Sequence, residues 1–523
     1  MSKQSSDHLF RLIKSLTTAE KRYFKIFAGR HTIGEKNEYV NLFDAIDKQD
    51  KYNEAALILL FKDSTFGHSP AIAKNRLYET VLKSLHAFHA DSSIDVELQR
   101  LMHSTEILFK KSLYDDSRKT LARARKLAVK YEKHFMLLEI QKWEKRLIEK
   151  DSYVSSSIED ISEMHKQDQE LLDKVNNYSD FWYIKSRLFL LLNKKGKVRD
   201  SSELNNFKTI IDNTLLKNEG KALSYETRYL YYHIYSAYYF GIGDYKNSYT
   251  YISKHLELIE KHAELFEEEP NKYFAVLSNM IYLCTQLRKF SEIPIYLAKL
   301  KGIPQSNVKK MNEDLMIKLF SSTYSAELSL YMQTGEFETA FGLVDEIEVG
   351  LKKYRDKISK IRIAYFYFNL SIVHFALGDY SGALKWINLL LNDSDIDSSQ
   401  DIHCMGRIFN LIIHLEIGNN DLIPYTFRST QRYLSKRKRI YRFESVFLQF
   451  INKLSKANSP AAIRNCFQAL RPELQALVKD PFEKSVFEYF DFITWVEGKY
   501  LAIPFRDMVK KKIDQGKLKE LLN

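Results

Sequence analysis

Helix breakers are scarce in this chain. Glycine occurs 17 times and proline 9 times in 523 residues, well below usual shares of about 7% and 5%. Long, rarely interrupted helices follow. Cysteine is rarer still: Cys284, Cys404 and Cys466 are the whole set, and none sits in a CxxC pair. That argues against a disulfide framework and a structural zinc site, and it fits a reducing, cytoplasmic compartment. Long apolar runs are missing too. The longest, Ala55 to Phe61, has seven residues, whereas a membrane-spanning helix needs about 20. The opening MSKQSSDHLFRLIKSL alternates polar and apolar residues, so neither a secretory signal nor a membrane partner is expected.

Motifs of nucleotide and hydrolytic chemistry are also lacking. The chain has no GxxxxGKS/T loop, GxGxxG fingerprint, GxSxG elbow or HExxH pair. His86 and His89 stand three apart and His403 adjoins Cys404, but neither set has a third ligand at suitable spacing. No catalytic residue, metal ligand or cofactor site is assigned, and a non-enzymatic role is expected. Charge excludes little. Lys plus Arg minus Asp plus Glu is 79 − 67 = 12, a modest excess that permits a nucleic-acid partner without requiring one.

Aromatics are what the chain has in plenty: 33 tyrosines and 33 phenylalanines. Many belong to a recurring element in which a short turn joins two apolar helices. The best copy, FNLSIVHFALGDYSGALKWINLLL, runs from Phe368 to Leu391 and turns at Gly378-Asp379. Other copies turn at Gly243-Asp244, Arg288-Lys289, Gly335-Glu336 and Gly418-Asn419, with a weaker one at Ser112-Leu113. An aromatic residue follows the turn by two at Tyr114, Tyr245, Phe290, Phe337 and Tyr380, but Asn420 breaks the pattern. Gly243 to Arg288 is 45 residues, and the next three intervals are 47, 43 and 40. A period of that size marks stacked helical hairpins, each covering its neighbour's apolar face. Pro294 and Pro424 both fall six residues after their turns, in the first turn of the second helix, where a missing N–H costs little.

The Gly378 copy resembles a tetratricopeptide repeat. Tyr367 falls at the usual Trp position, Leu370 at the Leu, Ser371 at the first Gly, His374 at a Tyr, Ala383 at the Ala and Ile387 at the next aromatic. Asp395 stands where the closing Pro belongs, and these repeats are longer than the usual 34 residues. The resemblance implies an all-α, right-handed superhelical solenoid of antiparallel helix pairs, covering roughly Leu98 to Arg439 with gaps. It also implies that first helices line a concave groove, which would carry His233, Tyr282, Ser325, Ser329, Tyr365 and Phe368. Between Phe135 and Leu216 helix pairs are expected without a clean turn motif.

The ends differ from the middle. Thr17 and Glu20 have capping-box spacing. Further helices are expected near 38–48, 54–62 and 70–89, and Pro460, Pro481 and Pro504 each open a helix. The organisation read from this is an N-terminal helical cap over 1–95, repeats over 96–440 and a C-terminal helical cap over 441–523.

Two basic features compete for a function. In the N-terminal region, helices near 54–62 and 70–89 outline a helix-turn-helix, with Lys74, Asn75 and Arg76 where a recognition helix meets DNA. Its turn, Asp63 to His68, is longer than the usual 3–4 residues; a capping bundle with a basic face is the plainer account. Around SKRKRIYRF, the cations Arg428, Arg432, Lys436 and Arg439 share one helix face, either as a patch for an acidic partner or as a solvated surface. The leading expectation is therefore a scaffold that binds a protein or peptide segment in its groove. The alternative is a transcriptional regulator with N-terminal DNA-binding helices and a ligand- or peptide-sensing repeat domain.

Overall fold

The capping-box spacing near the N-terminus is realised in the backbone. The Thr17 N–H donates to the Glu20 carboxylate (2.7 Å) and the Glu20 N–H donates to Thr17 Oγ1 (3.3 Å), so two orphan donors are satisfied as Thr18–Arg30 begins. The same local logic recurs along the chain. The computed structural model describes residues 7–30, 38–63, 65–90, 93–154, 156–195, 201–266, 269–306, 312–393, 400–419, 421–436, 440–457, 459–480 and 483–516. Among these residues all regular structure is helical, and consecutive helices pack on one another. No helix among them is long and apolar enough to cross a membrane.

The chain divides into two compact units, Met1–Ser179 and Asp180–Asn523. In the first, helices His8–Ser15, Thr18–Arg30, Glu38–Lys48, Glu54–Leu60 and Pro70–Phe88 share a core that includes Leu9, Ile13, Phe24, Phe43, Leu77 and Val81. A second core joins Ile94–Lys110, Tyr114–Lys130 and His134–Lys150 through Leu98, Leu121, Ile140 and Trp143. In the second unit one extended core runs from Leu328 to Val496. It takes in the C-terminal helices Arg442–Leu454, Pro460–Val478 and Phe492–Leu501. Pro460 opens its helix and Pro504 caps Phe505–Asp514; Pro481 lies outside the described residues.

Every turn read from the sequence has left-handed backbone. Gly243, Gly335, Gly378 and Gly418 have φ of 78°, 74°, 79° and 80°, and the non-glycine turns Ser112 and Arg288 follow at 60° and 56°. In each, the next residue's N–H reaches back five residues, as from Asp379 to the His374 carbonyl (3.0 Å) and from Glu336 to Tyr331 (2.8 Å). This is the six-to-one bond that closes a helix on a left-handed residue. In two of the hairpins the same residue also caps the second helix: Asp244 and Asp379 accept from the N–H groups of Asn247 (3.1 Å) and Gly382 (2.9 Å). The aromatic after the turn packs back across it, as in Phe109–Tyr114, Phe240–Tyr245 and Phe375–Tyr380. The turn leaves three residues between the helices at Ser112, Gly243 and Gly378, and two at Gly335.

Where the paired helices cross, small residues meet. Ser117, Ser248 and Ser371 donate to the carbonyls of Thr105, Ser236 and Ala383, at 3.1, 2.8 and 2.7 Å. All six residues are buried and each pair is twelve apart. Their small side chains let the backbones approach, and the hydroxyl is satisfied by the partner helix. Two further left-handed turns, at Glu132 and at Ser152-Tyr153, join helices without any glycine to announce them. Pro294 and Pro424 occupy the first turns of Ile293–Ser306 and Ile423–Lys436.

Candidate interaction surface

The turn alignment puts the six groove residues on first helices of the second unit, in differing surroundings. Tyr282 on Pro270–Gln286 is exposed, while Ser325 and Ser329 on Glu313–Thr334 are half-buried. His233 on Tyr225–Gly241 sits against Phe189 and Tyr229 at ring distances of 4.9 and 6.0 Å. Burial brings its pKa down to about 4. Tyr365 is exposed on one side and stacks on Tyr489 at 6.1 Å. Phe368 is buried between Phe409 and Tyr489.

The C-terminal part of the chain explains the last two. Phe490 packs on Phe375 and Phe409, and Phe505 on Phe375 and Phe337. The Trp495 indole N–H donates to Glu416 (2.7 Å), which also pairs with Lys499 (3.0 Å). Arg506 reaches Glu338 (2.8 Å). The chain's own C-terminal segment thus covers the first helices Lys360–Ala376 and Gln400–Ile417. Among the described residues none of these C-terminal contacts reaches Tyr282, Ser325 or Ser329; Tyr282 packs edge-on against Phe240 at 5.7 Å and Ser329 accepts from Gln333 (2.9 Å).

Most of the tyrosines on Tyr225–Gly241 are structural. Tyr229, Tyr231, Tyr232 and Tyr238 are buried, Tyr232 donates to Glu219 (2.6 Å) and Tyr235 to the Leu216 carbonyl (2.7 Å). Tyr235 and Tyr239 stack on Tyr251 of the second helix. His374 is structural too. Its Nδ1 meets Asp379 (2.7 Å) and its Nε2 accepts from the Trp386 indole (3.1 Å), so the ring ties the first helix to the cap of the second. The Gly382 N–H, with the His374 contact, holds Asp379 below its ordinary carboxylate pKa. His414 makes the equivalent contact with Asn419 (3.2 Å).

The two basic features also resolve into particulars. Lys74 is buried, bonded to Glu54 (2.5 Å) and close to the Tyr52 hydroxyl (3.4 Å). Burial alone would lower its pKa, but these bonds outweigh it and the net shift is upward. Asn75 and Arg76 are exposed. The intervening stretch, read as a long turn, contains the short helix Thr65–His68. Arg428, Arg432 and Lys436 are exposed on Ile423–Lys436; Arg439 lies outside the described residues.

One site escaped the sequence reading. A cleft of about 480 Å³ opens between Ile293–Ser306 and Glu313–Thr334, walled by Phe290, Pro294, Leu297, Leu330 and Tyr331. Glu327 lines it, is only 6% exposed, and pairs with Lys301 (2.6 Å). Burial and this carboxylate push the Tyr331 phenol's pKa up. A signal was present: aligned on the turns, Glu327 falls at the offset held by Leu370 and Met280.

No known protein family matches this sequence. No curated protein matches it significantly either.

Proposed function

We propose that this chain is a non-enzymatic scaffold built as a long-repeat, tetratricopeptide-like right-handed solenoid, with helical caps, that holds a protein or peptide segment along its first helices. The observation that carries this is the recurrence of one hairpin, with the same left-handed turn and the same close crossing, at Ser112, Gly243 and Gly378. Such repetition presents equivalent side chains at regular intervals, which suits an extended partner read residue by residue. The stretch at Tyr282, Ser325 and Ser329, with Tyr282 exposed and the two serines half-buried, is the part of that face proposed to meet the partner. Its chemistry is one aromatic and two hydroxyls, suited to stacking and hydrogen bonds with a backbone. A rigid face of this kind lowers the ordering cost of binding. The engagement of Lys74 by Glu54 favours the scaffold over a DNA-binding regulator.

Photo-crosslinking tests the face. A benzoylphenylalanine replacing Tyr282 should give a discrete adduct that a second change, Ser329→Arg, removes. The same probe replacing Lys254, on the second helix Tyr245–Lys261, should not give it. Equal adducts from both positions would sink the proposal.

A further inference from the structure

Glu327 departs from the hairpins on either side of it. Eight residues before the turn, the neighbouring hairpins carry Met280 and Leu370, both fully buried. In these two neighbours the position is inside and apolar, whereas the Gly243, Gly418 and Ser112 hairpins carry Tyr235, buried Asn410 and Ser104 there. Glu327 is inside as well, at 6% exposure, yet it brings a carboxylate. Burying such a group is costly unless both oxygens are satisfied. Only Oε1 is, by the Lys301 ammonium; Oε2 has no hydrogen-bond partner among the described residues. Lys301 itself is loosely held, with its side chain 53% exposed on the rim.

The surroundings specify what the carboxylate suits. The walls at Phe290, Pro294, Leu297 and Leu330 are hydrocarbon and accommodate an alkyl stem. Tyr331 also lines the cleft, and an aromatic ring attracts a cation. Glu336 adds a second negative charge at the mouth. Glu327 and Glu336 against Lys301 leave the cleft with a net charge of minus one. A buried charge at an apolar position inside a cleft of ligand size, roughly 300–1,000 Å³, is where local stability has been given up for a role.

We propose that this cleft receives an alkylammonium or alkylguanidinium group, with Lys301 as its intramolecular stand-in. The incoming cation takes the Glu327 carboxylate while Lys301 swings out into water, and its stem replaces solvent along the apolar walls. A guanidinium engages both carboxylate oxygens at once, which the lysine does not. Resting on the scaffold reading above, the source is a lysine or arginine side chain of the bound segment.

Calorimetric titration of the full chain tests the site with small probes. N-acetyl-arginine-N′-methylamide should bind saturably, with a dissociation constant of about 1 mM or tighter. The citrulline analogue, equal in shape and uncharged, should bind at least about tenfold more weakly. Glu327→Gln should weaken the arginine probe by about tenfold or more. Ala298→Trp, which fills the cleft from an exposed helix position, should abolish binding while circular dichroism stays unchanged. Butylguanidinium separates the sources: weaker binding than the capped arginine supports a peptide side chain as the source, and equal binding overturns that assignment. No saturable heat, equal citrulline affinity, or binding that survives Ala298→Trp would each overturn the site. None of these results depends on the Tyr282 crosslink, so the cleft and the scaffold reading fail separately.

Discussion

At the scale of single residues, the buried ionisable groups set the measurable behaviour. His255 is buried with no hydrogen-bond partner on either ring nitrogen among the described residues, and it packs on Tyr229 at 4.1 Å and His233 at 5.8 Å. Burial holds its pKa well below 6.5, and that of His233 at about 4. Both rings are therefore folded in their neutral forms. The unfolded chain takes up protons near pH 6.5 and the folded chain does not, so stability is full above that pH. It falls as the pH drops from about 6.5 toward 4. The shift on His233 corresponds to on the order of 3 kcal/mol at the acid end. Urea unfolding at pH 7.5 and pH 5 should show the loss, and His255→Phe should flatten the slope. A stability independent of pH over that range would contradict the packing described for these rings.

Glu327 gives the second residue-scale expectation. Because Lys301 is half exposed and can return to water, replacing Glu327 with hydrocarbon removes a buried carboxylate without stranding a buried cation. Glu327→Leu restores the residue that Leu370 provides in the neighbouring hairpin. It should raise the urea midpoint while abolishing cation binding in the cleft. A large loss of stability would mean that the carboxylate is needed for folding rather than for recognition.

At the scale of the element, the turn is the unit of design, and its cost is set by φ. Gly378 has φ of 79°, and a Cβ at that position would meet nothing within 4 Å. Gly378→Ala therefore costs backbone strain alone, about 1–2 kcal/mol. Ser112 adopts φ of 60° without being glycine. Ser112→Gly should therefore stabilise the first unit by about 1 kcal/mol. Thermal or urea unfolding of the two variants should move in opposite directions. Four of the turns were legible because glycine marks them, and at three of these the aromatic two residues on marks their register. The turns at Glu132 and Ser152-Tyr153 have left-handed backbone too, but no glycine. Ordinary side chains tolerate the left-handed region at a modest cost when helix packing on both sides demands it, and composition does not record that demand.

At the scale of the molecule, the C-terminal segment matters most. Phe490, Phe492 and Trp495 are buried in the core of the second unit. Behind them, Lys512 bonds Glu497 (2.7 Å), which also holds Arg471 (2.8 Å). Burial alone would raise the Glu497 pKa, but these cations bring it below the usual carboxylate range. Ending the chain after Asp480 removes three large aromatic side chains from the core, roughly 5 kcal/mol or more of burial, and uncovers Phe375 and Phe409. The truncated protein should unfold at markedly lower temperature and elute as aggregates in gel filtration. A monomer with unchanged melting would show that the segment adds little to the unit it covers.

The sequence by itself determined most of the helices and how they are joined. Those depend on neighbours in the chain: few breakers, left-handed glycines, aspartate caps, and prolines in first turns. The close crossing of small residues twelve apart follows from the same local geometry, because a three-residue turn leaves the paired helices little choice of register. Only the tertiary structure decided which faces stay open. Tyr365 and Phe368 were read onto the same groove as Tyr282 and Ser325, yet a segment more than a hundred residues further on stacks on Tyr365 and buries Phe368. Lys74 looked like a contact for DNA until Glu54 was brought beside it, and nothing in its own neighbourhood of the chain marks Glu327 as buried. Exposure belongs to the packed chain, since it is fixed by elements distant in sequence, whereas φ and capping are fixed within a few residues.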